Sequence, residues 1–166
     1  MDQSEVLGTA AQIAVAVGGF AGVVVAFRSG SVHEWSAMDR FRLRLLLANS
    51  ILPLALSSVA LVLLAVVPVP TSIWAWCSAL TATVLFPRAL LDLRMFLRLA
   101  KAPLETGTRP TFFTALTIGT AFTVLQVYNV TTLHAFWPFF AAVMAQLFAG
   151  MFQFVRLVFV PRKSTS

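Results

Sequence analysis

The fold class this sequence predicts is an all-α integral membrane bundle of five transmembrane helices, with the N-terminus outside and the C-terminus inside. Three observations predict it. First, 59% of the 166 residues are hydrophobic and only 11% are charged, where a soluble domain of ordinary composition carries about 25% charged residues. Second, the apolar runs divide into five stretches near the roughly 20 residues needed to cross a hydrocarbon core. Third, the twelve Lys and Arg residues sort into alternate connections. Arg28, Arg40, Arg42 and Arg44 fill the first, Arg88, Arg94, Arg98, Lys101 and Arg109 surround the third, and Arg156, Arg162 and Lys163 close the chain. The second and fourth connections carry no charge. Cations held on one face are what the positive-inside bias produces.

Span one is expected over 6–27. Ala10, Ala14, Gly18, Gly22 and Ala26 form a small-residue ladder at spacing four, and Gly18 to Gly22 is a GxxxG pattern that lets two helix backbones approach in lipid. Ala14, Gly18 and Gly22 are therefore expected at a helix–helix contact. The segment Gly18 to Arg28 resembles the first helix of small bacterial fluoride channels. The Asn-bearing second-helix motif and the aromatic-Thr box of that family are absent, so no residue role is carried over.

Trp35, Met38 and Phe41 recur at spacing three and predict a short amphipathic stretch at the inner interface, with Trp35 in the interfacial belt. Span two is expected over 43–67. Pro53 inside it removes an N–H and frees the carbonyl of Asn49, which predicts a kink there. Pro68 and Pro70 end it in an uncharged outer turn. Span three is expected over 71–92, anchored by Trp74 and Trp76 at the outer interface. Span four is expected over 111–128, followed by a polar outer turn from Asn129 to His134. Span five is expected over 135–160, and 161–166 form a mobile basic tail. The whole chain reads as one transmembrane domain.

The strongest local pattern lies in span four. Thr111, Thr114, Thr117, Thr120, Thr123, Gln126, Asn129 and Thr132 are polar at every third position. Three residues turn an α-helix by about 300°, so each step slips back by about 60° and only a few members share a face. Two uses fit: lining a polar path, or hydrogen bonding to carbonyls one turn back and to neighbouring helices. Gln146 and Gln153, seven residues apart on one face, and Gln12 are costly in hydrocarbon and should face protein or water. Candidate pore-lining residues are Asn49, Thr114, Thr117, Thr120, Gln126, Gln146 and Gln153. Phe136, Phe140, Met144, Phe148 and Phe152 follow a separate stripe, lipid-facing or packed, that leads to Arg156. Arg88 and Asp92, one turn apart, are expected to pair, and with Arg156 to form a charge cluster near the inner boundary.

Chemistry of an enzymatic kind is not expected. His33 and His134 fall on opposite faces of this topology, no metal or phosphate-binding motif is present, and no carboxylates pair within one span. No cofactor and no metal are expected. The net charge of +6 orients helices and meets anionic lipid headgroups and does not point to nucleic acid. Cys77 is the one cysteine, so no intrachain disulfide can form. Asn129-Val130-Thr131 matches a glycosylation sequon close to the membrane. The expected function is a homo-oligomeric channel or pore with a neutral Thr/Gln/Asn-lined path in a bacterial inner membrane. The rival expectation is a non-catalytic scaffold or accessory subunit.

Overall fold

The computed structural model describes residues 2–27, 35–66, 70–101 and 108–159. Arg28, His33, Pro68, the segment 102–107 and the expected tail 161–166 lie outside the described residues. Five α-helices follow one another: α1 (Gln3–Phe27), α2 (Ala37–Val66), α3 (Pro70–Leu99), α4 (Thr108–Tyr128) and α5 (Phe136–Phe159), with a π-helical turn (Asn129–Leu133) between α4 and α5. Four of them, α1, α2, α4 with its π turn, and α5, are long and apolar enough to cross a membrane. α3 matches α2 in length but is outside that set. Its second half carries Arg88, Asp92, Arg94 and Arg98.

Side-chain pairs give the helix directions. Arg44 meets Met95 and Asn49 meets Arg88, so α2 and α3 are antiparallel. Ser78 meets Asn129 while Phe96 stacks on Phe112, so α3 runs against the α4 segment. Thr108 meets Arg156 and Gln126 meets Pro138, so α4 and α5 are antiparallel. Val17 lies by Gly150 and Phe20 by Phe154, so α1 and α5 run parallel. Successive helices thus alternate in direction, and the described Lys and Arg residues gather toward the end where α2 starts and α3 finishes.

α2 and α5 occupy the middle and α4 buries almost none of its apolar length. Between helices in lipid the hydrophobic term nearly vanishes, because the tails are as apolar as Leu. Close packing and hydrogen bonds then decide the arrangement. One apolar cluster joins Leu7, Ala10 and Ala14 of α1 to Leu56 and Ala60 of α2 and to Phe139 and Val143 of α5. Trp74 belongs to this cluster, 4.7 Å from the Phe136 ring. It is a core residue rather than an interfacial anchor, whereas Trp76 is 71% exposed. A second cluster holds Val17, Ala21, Leu43, Leu46, Leu157 and Trp35. Trp35 is therefore packed inside, and the expected amphipathic stretch is the start of α2 itself: Phe41 is buried against Phe96 and Phe112.

The small-residue ladder divides. Ala10 and Ala14 are buried, and a Cβ on Gly18 would stand 3.6 Å from Ser50 Cβ. A Cβ on Gly22 would meet nothing within 4 Å from another helix among the described residues, because the packed stripe shifts to Val17 and Ala21. A spacing of four drifts round a helix of 3.6 residues per turn, so a ladder that begins in the interface leaves it. Gln12 is exposed on the same helix.

The expected outer turn is helical. The π turn continues α4 to Leu133, and His134, at φ 49°, closes it with its N–H bonded to the Asn129 carbonyl.

Candidate functional site

Pro53 lies within α2, and its ring leaves the carbonyl of Asn49 without its usual helical donor. Gly150 of α5 is placed there. A Cβ at Gly150 would lie 3.5 Å from the Asn49 oxygen and 3.4 Å from Val17 Cγ1. α2 and α5 meet closely at this point, and Asn49 and Ala149 beside it line a cavity of about 680 Å³ between α2, α3, α4 and α5.

The floor of the cavity is polar. Arg88 donates from Nη2 to Asn49 Oδ1 at 2.7 Å, and its Nε lies 3.3 Å from Asp92 Oδ2. The pair is one helical turn apart and both side chains are largely buried. A guanidinium and a carboxylate in such a place are retained only with close partners, since an isolated charge would carry a desolvation cost of several kcal/mol. From α5, Gln146 and Gln153 line the same cavity. They are 7% and 9% exposed, and the Oε1 of each has no hydrogen-bond partner. Gln146 Nε2 reaches the Ala142 carbonyl only at 3.4 Å. Buried amide oxygens without donors are uncommon in folded proteins; the Oε1 of Gln126, away from the cavity, is a third.

At the charged end, Arg156 donates to Thr108 Oγ1 at 3.3 Å and lies over the Phe152 ring, 5.9 Å from its centroid. Arg42, held 3.5 Å from Asp39, also lines the cavity. The three members of the expected cluster, Arg88, Asp92 and Arg156, thus border one cavity, with Arg88 and Asp92 in direct contact and Arg156 reaching across to α4. The mouth is flanked by Thr114, Ile118 and Gly119 of α4 and by Phe148 and Phe152 of α5. Phe148 is 69% exposed and Ile118 50%, so the opening points sideways, out of the bundle.

No family model, curated protein or solved structure matches the chain.

Of the candidate pore-lining residues, Asn49, Thr114, Gln146 and Gln153 border the cavity. Thr117 and Thr120 do not: they are exposed on the outer surface of α4. Their hydroxyls donate at 2.9 Å to the carbonyls of Phe113 and Leu116, one turn back. Thr123 does the same to Gly119 at 2.9 Å and still reaches the cavity. The 60° slip per step scatters the Thr series round the helix. Gln126 is fully buried at the other end, donating to the Pro138 carbonyl at 2.8 Å. It is a strap between α4 and α5.

The main polar joint outside the cavity is Asn129, which the sequence marks as a member of the threefold polar series and as part of a sequon. Its amide donates to Ser78 Oγ at 2.7 Å and to the Ala135 carbonyl at 3.0 Å, and its oxygen accepts from the Ala135 N–H at 3.0 Å. A fully buried amide with three partners is closed to glycosylation. The aromatic wall of Phe41, Phe96 and Phe112 was also missed. Its members stand on three helices, and no spacing rule relates them. Among the described residues no group of His, Cys, Asp or Glu is placed to hold a metal.

Proposed function

We propose that the chain is a non-enzymatic, transport-class protein of a bacterial inner membrane that takes its cargo into the cavity between α2, α3, α4 and α5. In this reading five helices cross, the N-terminus is outside, and the basic end lies in the cytoplasm. The alternation of helix direction and the gathering of cations at one end support that orientation. The observation that carries the function is convergence: Asn49, Arg88, Asp92, Gln146 and Gln153, from three helices, meet on one space in an otherwise apolar bundle. An Arg or an Asp costs about 2.5–3.5 kcal/mol at the bilayer centre on insertion scales, and less but still unfavourably near the inner boundary, where Arg88 and Asp92 lie in this reading. Residues retained at that cost, around a space rather than in a packed joint, fit a role in binding. The polar path of this proposal runs inside one chain, and Thr117 and Thr120 of α4 have no part in it.

Proteoliposomes test the reading. Potassium, chloride, glycerol and a fluorescent lysophosphatidylglycerol are offered to vesicles containing the pure protein. At least one is expected to move faster than in empty vesicles. Gln146→Leu should slow that movement and Thr117→Val should leave it unchanged. If none of the four moves, the transport reading fails.

A scaffold or accessory role in a homo-oligomer has its own support. α4 is almost wholly uncovered, and Gln12 presents an amide on the outside of α1, where hydrocarbon alone would be unfavourable. A detergent-solubilised particle with the mass of one chain would contradict that second reading.

A further inference from the structure

Three properties of the cavity bear on what it holds. Its deep end is cationic: three guanidiniums, Arg42, Arg88 and Arg156, stand with two carboxylates, Asp39 and Asp92. Arg88 spends Nε on Asp92 and one Nη2 hydrogen on Asn49. A guanidinium has five N–H donors, so Arg88 keeps donors for an anionic oxygen. Second, Gln146 and Gln153 line the cavity, and a side-chain amide pairs with hydroxyl groups as readily as with anionic oxygens. Third, the mouth is apolar and aromatic, and it opens sideways past Phe148, Phe152 and Ile118. A water-soluble anion has no reason to enter from that side, whereas a molecule already dissolved in the bilayer does.

We infer that the cavity binds a single-chain amphiphile whose headgroup carries one negative charge and hydroxyl groups. The headgroup sits on Arg88, Gln146 and Gln153, and the acyl chain leaves between α4 and α5. A volume of about 680 Å³ lies within the usual range of sites that enclose a drug-sized ligand, roughly 300–1,000 Å³. The inference rests on the cavity being the working site and adds the class of cargo.

The test uses the full chain in phosphatidylcholine nanodiscs and oleoyl-lysophosphatidylglycerol as the probe. Saturable binding is expected, at least tenfold tighter than that of oleoyl-lysophosphatidylcholine, which has the same chain but no net charge. Arg88→Gln should weaken binding tenfold or more, Gln153→Leu several-fold, and Thr117→Val not at all. Because Arg88→Gln removes a buried partner and can unfold the chain, a second measurement stands beside it. Ile118→Cys, at the mouth, should be alkylated several-fold more slowly when the charged lipid is present, in a protein whose interior is untouched. Equal affinity for the two lysolipids, or no protection of the Ile118→Cys thiol, overturns the inference. Binding without vesicle transport leaves this site standing and removes the transport reading. Transport without such binding does the reverse.

Discussion

Asn129 makes three hydrogen bonds that tie the π turn to α3 and to the start of α5. Asn129→Ala should lower stability by about 1–3 kcal/mol, the range for stranding a buried donor or acceptor. Thermal unfolding in detergent reads the loss, and an unchanged midpoint would remove Asn129 from the joint. Arg88 and Asp92 give a sharper test. Removing Arg88 alone leaves a buried carboxylate without its cation, so Arg88→Leu should cost on the order of 3 kcal/mol. The double variant Arg88→Leu/Asp92→Leu should recover much of that loss while abolishing lipid binding. If the double variant is less stable than both singles, the pair is not isolated in the way described. The Arg88–Asp92 contact was legible in the sequence, because spacing four on a helix brings two side chains together. The Asn49–Arg88 bond was not: those residues are far apart in sequence and nothing local relates them.

Among the elements, α5 is the one whose sequence carries most of the site. Gln146 and Gln153 share a face by their spacing, and Phe148 and Phe152 lie on the neighbouring stripe at the mouth. Gly150 sits between, against the Asn49 carbonyl. The nearest atoms to an added Cβ lie at ordinary contact distance, so Gly150→Ala should be accommodated with little change. Gly150→Leu should force α2 and α5 apart, with a loss on the order of 1–3 kcal/mol from overpacking. A sharp drop in monodisperse yield for the Leu variant alone would show it, and equal yields would contradict the contact. For the threefold polar repeat of α4 the sequence left two uses open, lining a path or bonding to carbonyls one turn back, and Thr117, Thr120 and Thr123 take the second. Period three is not the period of a helix face. Such a repeat describes how polarity is spread, and which members face a cavity depends on where the neighbouring helices stand.

The whole molecule has two ends of different character. Thr132 and Lys101 are both exposed and lie at opposite ends of the bundle. Cys77 is 1% exposed, so it should stay silent toward a membrane-impermeant thiol reagent. Thr132→Cys should then react from outside intact cells, and Lys101→Cys only after permeabilisation. Reaction of both from the same side would overturn the orientation and the five-crossing proposal with it. The helical class and the charge asymmetry were readable because lipid imposes long apolar runs and sorts cations. The cavity was not readable, since it is what the helices leave between them.

One further consequence belongs to the stack of Phe96 on Phe112, with ring centroids 3.8 Å apart and planes inclined by 9°. This stack grips the α3–α4 pair at the charged end, and the Asn129–Ser78 bond grips it at the other. The two helices are thus joined by contacts at both ends besides the peptide link. Genes cut there, encoding 1–103 and 104–166 as separate polypeptides, should yield halves that find each other in the bilayer and copurify. Their mutual hold should loosen when Phe112→Ala removes the ring.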